Sequence, residues 1–534
     1  MSQPWEIENF LKVHGGQLHI GGVNAVELAR EYGTPLFVFS ESRIRHNIDR
    51  LRKAADVIDC PLKLCYAAKA NSTMGILRTV KEAGSDIEVN SGGELWKALK
   101  IGFTGDQIIF NGTSKEVWEI ENAINAEIYA IQADSLYELS LIEEIAKRLN
   151  KRSNVSLRLV PEIETGTHSG LQTALLTSKF GMMPDEAFSA FRTYKNSPHL
   201  DLCGIHLHIG SQNPDPDVYS EAMAMLFDSM LRIFTETGIR VKHINLGGGF
   251  PVNYLRDENR FSDELPPVLE EFRMLPGLKT ESEEISSRLK KEADEHAGRR
   301  KMLSANFEPS AAISDAWEQI RLKTVVTGSE HLLDRLTVLL EPGRSIISDA
   351  GICLTSVRNT KSRPLSEIRI ELHEHMDKIR KLQTGASARS AHFDFERDVV
   401  SSDNNSENWL LTDAGFNILL SMETYKWYYD LISADRSAEV HDHPYKVAGP
   451  LCDGGDVYFD IEGQNRLPSY RLLPENVQPG EILALLNCGA YSLAQASQYN
   501  GRFLPPVVLI KENGEAELIR KRDGFDDLVN NDVY

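Results

Sequence analysis

From residue 63 onward, short β-rich runs alternate with longer stretches in which apolar residues recur at three- and four-residue spacing. The short runs are Lys63–Ala67, Asp86–Asn90, Ile108–Asn111, Ile128–Ile131, Val155–Val160, Leu202–Ile209, His243–Leu246 and Thr337–Leu340. The longer stretches, such as Gly93–Lys100 and Ser135–Leu149, suit amphipathic helices. Strands separated by helices in this way predict an α/β fold, a parallel (β/α)8 TIM barrel. An open doubly wound sheet is the competing architecture, because a strand count does not prove closure.

After about residue 346 the texture changes. Asp349–Asn359, Ile368–His373, Trp409–Asp413, Tyr445–Val447 and Glu481–Leu486 read as strands, separated by Gly, Pro and Asp turns such as Gln478-Pro479-Gly480-Glu481. These predict a second, mainly β domain. Gln17–Ile20 is also strand-like. Two stretches fit neither pattern. Residues 254–330 contain the acidic-basic run Thr280–Arg300, which is helix-prone, polar and expected to be mostly solvated. Residues 375–407, with Ser401-Ser402-Asp403-Asn404-Asn405-Ser406 near their end, are expected to form a mobile surface loop.

With 534 residues the chain can bury at least one large core, and two domains are expected. Its 58 basic against 78 acidic residues give a net charge of −20, which argues against a general nucleic-acid or anionic-membrane surface. The N-terminal Met1-Ser2-Gln3-Pro4-Trp5-Glu6 does not open a signal peptide, and no apolar run approaches the ~18 residues of a membrane span. Six scattered cysteines, at 60, 65, 203, 353, 452 and 488, resemble neither a disulfide framework nor a zinc site. A cytoplasmic protein without a metal is the expectation.

The chemistry of a barrel collects beyond the C-terminal ends of its strands, and the unusual residues of this chain fall there. Lys69, between small residues in Tyr66-Ala67-Ala68-Lys69-Ala70-Asn71, follows the first strand. An amine held against a ligand and partly desolvated is the form that Schiff-base chemistry needs. Ser91-Gly92-Gly93-Glu94 follows the second strand, Arg158 lies in the fifth, and the sixth closes in His206-Leu207-His208-Ile209-Gly210-Ser211-Gln212. Gly247-Gly248-Gly249-Phe250 follows the seventh and Glu341-Pro342-Gly343-Arg344 the eighth. Consecutive glycines let backbone N–H groups cradle an anion, and the loops after strands seven and eight are a favoured phosphate site in barrels. Arg344 adds a charge-assisted bond and Ser211 a hydroxyl. An amine beside a phosphate cradle implies pyridoxal 5'-phosphate. Glu341 is then the carboxylate for the pyridine nitrogen, and His208 the residue lying against the ring. In the second domain Cys452, within Gly449-Pro450-Leu451-Cys452-Asp453-Gly454-Gly455-Asp456, is read as an exposed thiol able to donate a proton, and Tyr491 as a phenol in Gly489-Ala490-Tyr491-Ser492.

At these motifs (Y-A-A-K-A-N, S-G-G-E-L, H-I-G-S-Q, G-G-G-F, E-P-G-R, C-D-G-G-D and G-A-Y-S) the chain resembles the fold type III pyridoxal-phosphate decarboxylases, the diaminopimelate branch above all, which are related to the ornithine and arginine decarboxylases. The resemblance implies an alanine racemase-like barrel over residues 36–345, with an insertion around 254–330. It implies a C-terminal β-barrel or sandwich over 346–534, joined by an N-terminal segment 1–35. It further implies that Lys69 carries the cofactor and His208 stacks on it. Arg158, Ser211, Gly247, Gly248, Gly249, Gly343, Arg344 and Tyr491 join in binding the cofactor, and Glu341 faces the ring nitrogen. Cys452 protonates the α-carbon from the partner subunit of a homodimer, and Arg344, Tyr425, Asp453 and Tyr491 contact an amino-acid substrate.

Two departures concern that substrate. The diaminopimelate enzymes usually follow D-A-G-x-N with R-P-x-x-Y, whose Arg grips a distal carboxylate. Here Asp413-Ala414-Gly415-Phe416-Asn417 leads to Ser421-Met422-Glu423-Thr424-Tyr425, which keeps the Tyr and offers no cation. Asp453 also stands where those enzymes commonly have Glu, as in the ornithine pattern. The expected function is decarboxylation of meso-diaminopimelate to lysine. The alternatives are the same chemistry on ornithine, lysine, arginine or a carboxylated intermediate, a racemase, and a non-catalytic regulatory relative. The last should have lost Lys69 or Cys452.

Overall fold

The structure is a computed structural model that describes residues 3–8, 10–160, 179–257, 260–261, 283–364, 406–461 and 466–533. It divides into two compact units, one of residues 43–252 and 305–348, the other of 1–42, 253–304 and 349–534.

The chain opens with three short strands, β1 (Leu11–His14), β2 (Gln17–Ile20) and β3 (Val23–Asn24), and then β4 (Leu36–Ser40). The barrel strands follow: β5 (Leu62–Ala67), β6 (Asp86–Val89), β7 (Ile108–Phe110), β8 (Ala130–Ala133), β9 (Ser153–Arg158), β10 (Leu200–His206), β11 (His243–Asn245) and β12 (Thr337–Leu340). All eight pair in parallel, and β12 closes on β5, so the open-sheet alternative is excluded. Burial on both faces explains their near-continuous apolar sequences: Ile108, Ile109, Phe110, Ile131, Val155 and Leu157 are all fully buried. Two of the intervening helices are capped by serines as their sequences direct. Ser91 accepts from Glu94 N, and Ser135 accepts from Glu138 N.

The second unit is mainly β. Its long central strand β13 (Gly351–Pro364) pairs through its first half with β4 and β18 (Ile482–Leu485), and through its second half with β14 (Ser406–Thr412). The remaining strands are β15 (Leu431–Ser433), β16 (His443–Ala448), β17 (Arg471–Leu473), β19 (Val507–Ile510) and β20 (Ala516–Arg520). Their order is β17-β16-β14-β13-β4-β19-β20, with β15 on β18. A core of Trp5, Phe10, Leu18, Val38, Ile352, Leu354, Ile432, Leu486 and Val508 ties the first residues of the chain to this sheet.

The expected insertion divides between the two units. Arg260 donates to Asp430 Oδ1 at 2.8 Å and to the carbonyls of Leu431 and Leu472, while Tyr254 and Phe261 meet Trp427 and Tyr428 edge to face, so residues 253–304 belong with the sheet. The helix Pro309–Thr327 instead buries Ala312, Ile313, Ala316, Trp317 and Ile320 in the barrel unit. The polar run at 280–300 contributes to the helix Glu283–Ser304. The expected strand Ile368–His373 and residues 375–405 of the expected loop lie outside the described residues, while Ser406 and Glu407 open β14. No described helix is long and apolar enough to cross a membrane, and the described residues hold no metal-binding cluster.

Candidate active site

Lys69 sits in the single 3-10 turn Ala68–Ala70 that ends β5. Its amine lies 3.7 Å from Glu88 Oε2, the carboxylate being fully buried and the lysine side chain 41% exposed. The barrel thus places a buried carboxylate beside this amine. Gly343 explains the small residues: a Cβ there would stand 3.1 Å from the Cβ atoms of both Ala67 and Ala70, so the β12 loop packs directly on the Lys69 turn.

Glu341, at the end of β12, is buried within a polar cluster. Asn245 Nδ2 donates to its Oε1 at 2.6 Å, and Asn111 Nδ2 donates both to its Oε2 at 2.9 Å and to Glu88 Oε1 at 2.8 Å. One amide thus bridges two buried carboxylates. Burial, then the neighbouring Glu88, push the Glu341 carboxyl up to about 7, against the opposing pull of Lys69. His206 Nε2 lies 3.6 Å from Glu341, and burial followed by Arg158 pushes this imidazole well below its ordinary range. It is therefore neutral at physiological pH. Arg158 lies in β9, with its guanidinium 4.3 Å from the Phe180 ring centroid and 3.9 Å from Asp134. Burial lowers its pKa, and the Asp134 carboxylate opposes that.

Beside this cluster lies the glycine run. Gly247 and Gly249 adopt φ of +65° and +98°, the left-handed region that favours glycine. A Cβ at Gly247 would stand 2.5 Å from His208 Nδ1, at Gly248 2.4 Å from the Glu341 carbonyl oxygen, and at Gly249 2.7 Å from the Gly210 carbonyl oxygen. The three glycines therefore pack against the loops after β10 and β12, where no side chain fits. Arg344 Nε donates to Ser211 Oγ at 3.0 Å, joining the same two loops. Lys69, His208, Ser211, Gly247–Gly249, Glu341, Gly343 and Arg344 are in this way brought to one end of the barrel. Glu88, Asn111 and Asn245 are not singled out in the sequence, and His206 is named there only as the first residue of its run. Their signal is a polar residue at or near the end of an otherwise apolar strand, where burial requires a partner. Ser91-Gly92-Gly93-Glu94 has a structural reading: it caps a helix, and a Cβ on Gly92 would strike the Trp118 ring at 2.3 Å.

The other candidates belong to the sheet unit. Cys452 is exposed, and its N–H donates to Asn500 Oδ1 at 2.7 Å. The loop is ordered by Asp456, which accepts from Leu451 N and Phe416 N, both at 2.8 Å. Asp453 accepts from Gly455 N at 2.9 Å and from the Tyr499 hydroxyl at 3.2 Å. Tyr491 has φ +57°, uncommon for a bulky residue and frequent at functional sites. Its carbonyl lies 3.5 Å from Ser421 Oγ, which also donates to Gln495 at 3.2 Å. Glu423 holds Lys426 at 2.7 Å. Arg299 of the inserted segment donates to the carbonyls of Tyr425 and Lys426.

The barrel unit alone defines a class: a barrel whose strand-end loops gather an amine, two buried carboxylates and a glycine run with no room for side chains. The chain belongs to the pyridoxal-dependent decarboxylases. It matches their pyridoxal binding domain over residues 41–314 and their C-terminal sheet domain over residues 218–489. The diaminopimelate decarboxylase of Methanothermobacter thermautotrophicus is 30% identical over 514 residues, 96% of this chain and 95% of its own length. That of Aquifex aeolicus is 28% identical over 528 residues, 98% and 97% of the two chains. The crystal structure of the M. jannaschii diaminopimelate decarboxylase superposes with a TM-score of 0.73 at 26% identity, covering 98% of both chains. The same enzyme with L-lysine superposes with a TM-score of 0.72 at 27% identity.

Pyridoxal phosphate, the cofactor of the family, fits the residues present. The two buried carboxylates share one amide, a surplus of negative charge that favours a protonated ring nitrogen. The glycine cradle has no room for side chains and adjoins Arg344 and Ser211. When bound, the cofactor withdraws electrons from the substrate's α-carbon.

Proposed function

We propose that the chain decarboxylates meso-diaminopimelate to L-lysine in the cytoplasm, as a homodimer in which Cys452 of one protomer serves Lys69 of the other. Likeness along the whole chain to diaminopimelate decarboxylases, one of them solved with L-lysine, carries the substrate. Lys69 would supply the amine that anchors the cofactor, and Glu341 would keep its ring nitrogen protonated. Arg158 and His208 would contact the cofactor, His208 against its ring, while Ser211, Gly247, Gly248, Gly249, Gly343, Arg344 and Tyr491 would hold its phosphate. The α-carboxylate leaves as carbon dioxide, and the Cys452 thiol returns a proton to the α-carbon. Tyr425, Asp453, Tyr491 and Arg344 contact the substrate. The distal carboxylate lacks the usual cation at Ser421, and Lys426 is already engaged by Glu423. Arg299 brings a guanidinium to the Tyr425–Lys426 turn and is the replacement we favour.

Carbon dioxide release by the purified protein, measured with meso-diaminopimelate, ornithine, lysine and arginine, tests the reading. The specificity constant for meso-diaminopimelate should exceed each of the others by at least about ten-fold, which requires only ~1.4 kcal/mol of differential contact. A higher constant for ornithine or lysine would assign the enzyme to that substrate instead.

A further inference from the structure

The sheet unit contains a cavity of about 760 Å³, none of whose lining residues has a role in the proposed reaction. Three arginines are among its lining residues, Arg358, Arg502 and Arg522, against one acidic residue, Asp413. In a chain of net charge −20 this is a local excess of positive charge. Asp413 has little left to offer a further cation. Its Oδ1 accepts from Thr355 Oγ1 at 2.7 Å and Ser356 N at 3.0 Å, and its Oδ2 from Thr34 Oγ1 and Arg358 Nη2, both at 2.6 Å. Arg522 donates to the Pro35 carbonyl at 3.0 Å, and Arg502 to the Pro450 carbonyl at 2.8 Å. Each arginine is thus positioned by the backbone or by Asp413, with donors remaining for a ligand. The rest of the wall mixes polar Thr34, Asn359, Thr412 and Asn417 with apolar Leu411, Ile418, Leu451 and Phe503, the last edge to face with the exposed Phe525.

We propose that this cavity binds a small organic polyanion, carrying carboxylate or phosphate groups, and that its occupancy is transmitted to the Cys452 loop. Arg502 is the link: it lines the cavity, and its guanidinium holds the carbonyl of Pro450, two residues before Cys452. An anion that draws Arg502 inward releases that carbonyl and leaves the loop held by Asp456 and Asn500. The inference stands on the geometry of the sheet unit and does not require Cys452 to be catalytic.

Calorimetric titration of the cofactor-loaded enzyme with citrate and, separately, with inorganic phosphate tests the site, with sodium chloride at matched ionic strength as control. Saturable binding of one anion per chain is expected, and the stronger of the two identifies the acid group preferred. Arg522→Gln should weaken it at least about ten-fold, the loss of one charge-assisted contact. Asn359→Glu, which adds a negative charge at the exposed rim while removing no cation, should do the same and covers the case in which Arg522→Gln fails to fold. Cys452 is the one exposed cysteine, so the rate at which a small disulfide reagent modifies it, referenced to Cys452→Ser, should change several-fold on saturation. Absence of saturable binding by both anions, or binding unaffected by Asn359→Glu, would overturn the site. Binding with an unchanged thiol rate would overturn the link through Arg502.

Discussion

Replacing Glu341 by Gln probes the buried carboxylate pair through stability, independently of turnover. The carboxyl rises from its ordinary 4.5 to about 7 in the folded barrel, because burial and Glu88 disfavour its charge. That rise corresponds to roughly 3 kcal/mol, at about 1.4 kcal/mol per pH unit. The folded state binds this proton more tightly than the unfolded chain. Below 4.5 both states are protonated and nothing is lost. As the pH climbs from 4.5 towards 7 the native protein loses stability, and above 7 the whole penalty is present. Gln cannot ionise, so it escapes the penalty. Its amide, however, faces the Nδ2 donor of Asn245 or Asn111 where an oxygen had accepted, a mismatch that costs about 1–3 kcal/mol at every pH. In urea unfolding of the cofactor-free protein, the variant should therefore be less stable than the parent at about pH 5. By about pH 8 it should have gained up to about 3 kcal/mol on the parent, reaching or passing it. Stability profiles that stay parallel across this range would show that Glu341 ionises normally, and the argument for a strained carboxylate pair would fall.

Gly248→Ala drives a Cβ to 2.4 Å from the Glu341 carbonyl oxygen, a backbone atom that cannot swing aside. Cofactor affinity, measured by titration, should fall at least about ten-fold and stability by about 1–3 kcal/mol; unchanged affinity would remove the cradle. Lys69→Ala should abolish turnover and the borohydride-reducible chromophore while leaving the fold intact by circular dichroism. Mixed with Cys452→Ala under verified subunit exchange it should recover part of the activity, and no recovery would mean that both residues act from one chain. Arg299, whose pKa burial followed by the nearby Arg466 lower to about 10, is ionised at neutral pH. Arg299→Leu should raise KM for meso-diaminopimelate by ten-fold or more with a smaller effect on kcat, and an unchanged KM would return the distal carboxylate to an unassigned residue.

The eight barrel strands are legible in the sequence, because a strand buried on both faces has to be apolar along its length and Gly, Pro and polar turns punctuate it. So are Lys69, the glycine run and the Glu341–Arg344 loop, since the chemistry of a barrel lies beyond its strand ends and these residue types are conspicuous there. Several sheet strands are not. Leu431–Ser433, Arg471–Leu473 and Val507–Ile510 are only three or four residues long, and Leu36–Ser40 precedes the barrel while pairing with strands more than three hundred residues later. Such pairings are non-local, and the sequence around each strand carries no trace of its partner. The same holds for Asn111, which ties Glu88 to Glu341, and for Arg502, which ties a cavity wall to the Cys452 loop. Residue type and spacing along the chain determine what chemistry is possible. Which carboxylate is strained, and which arginine shares its charge with a neighbouring loop, follow from burial and distance, which exist only once the chain has folded.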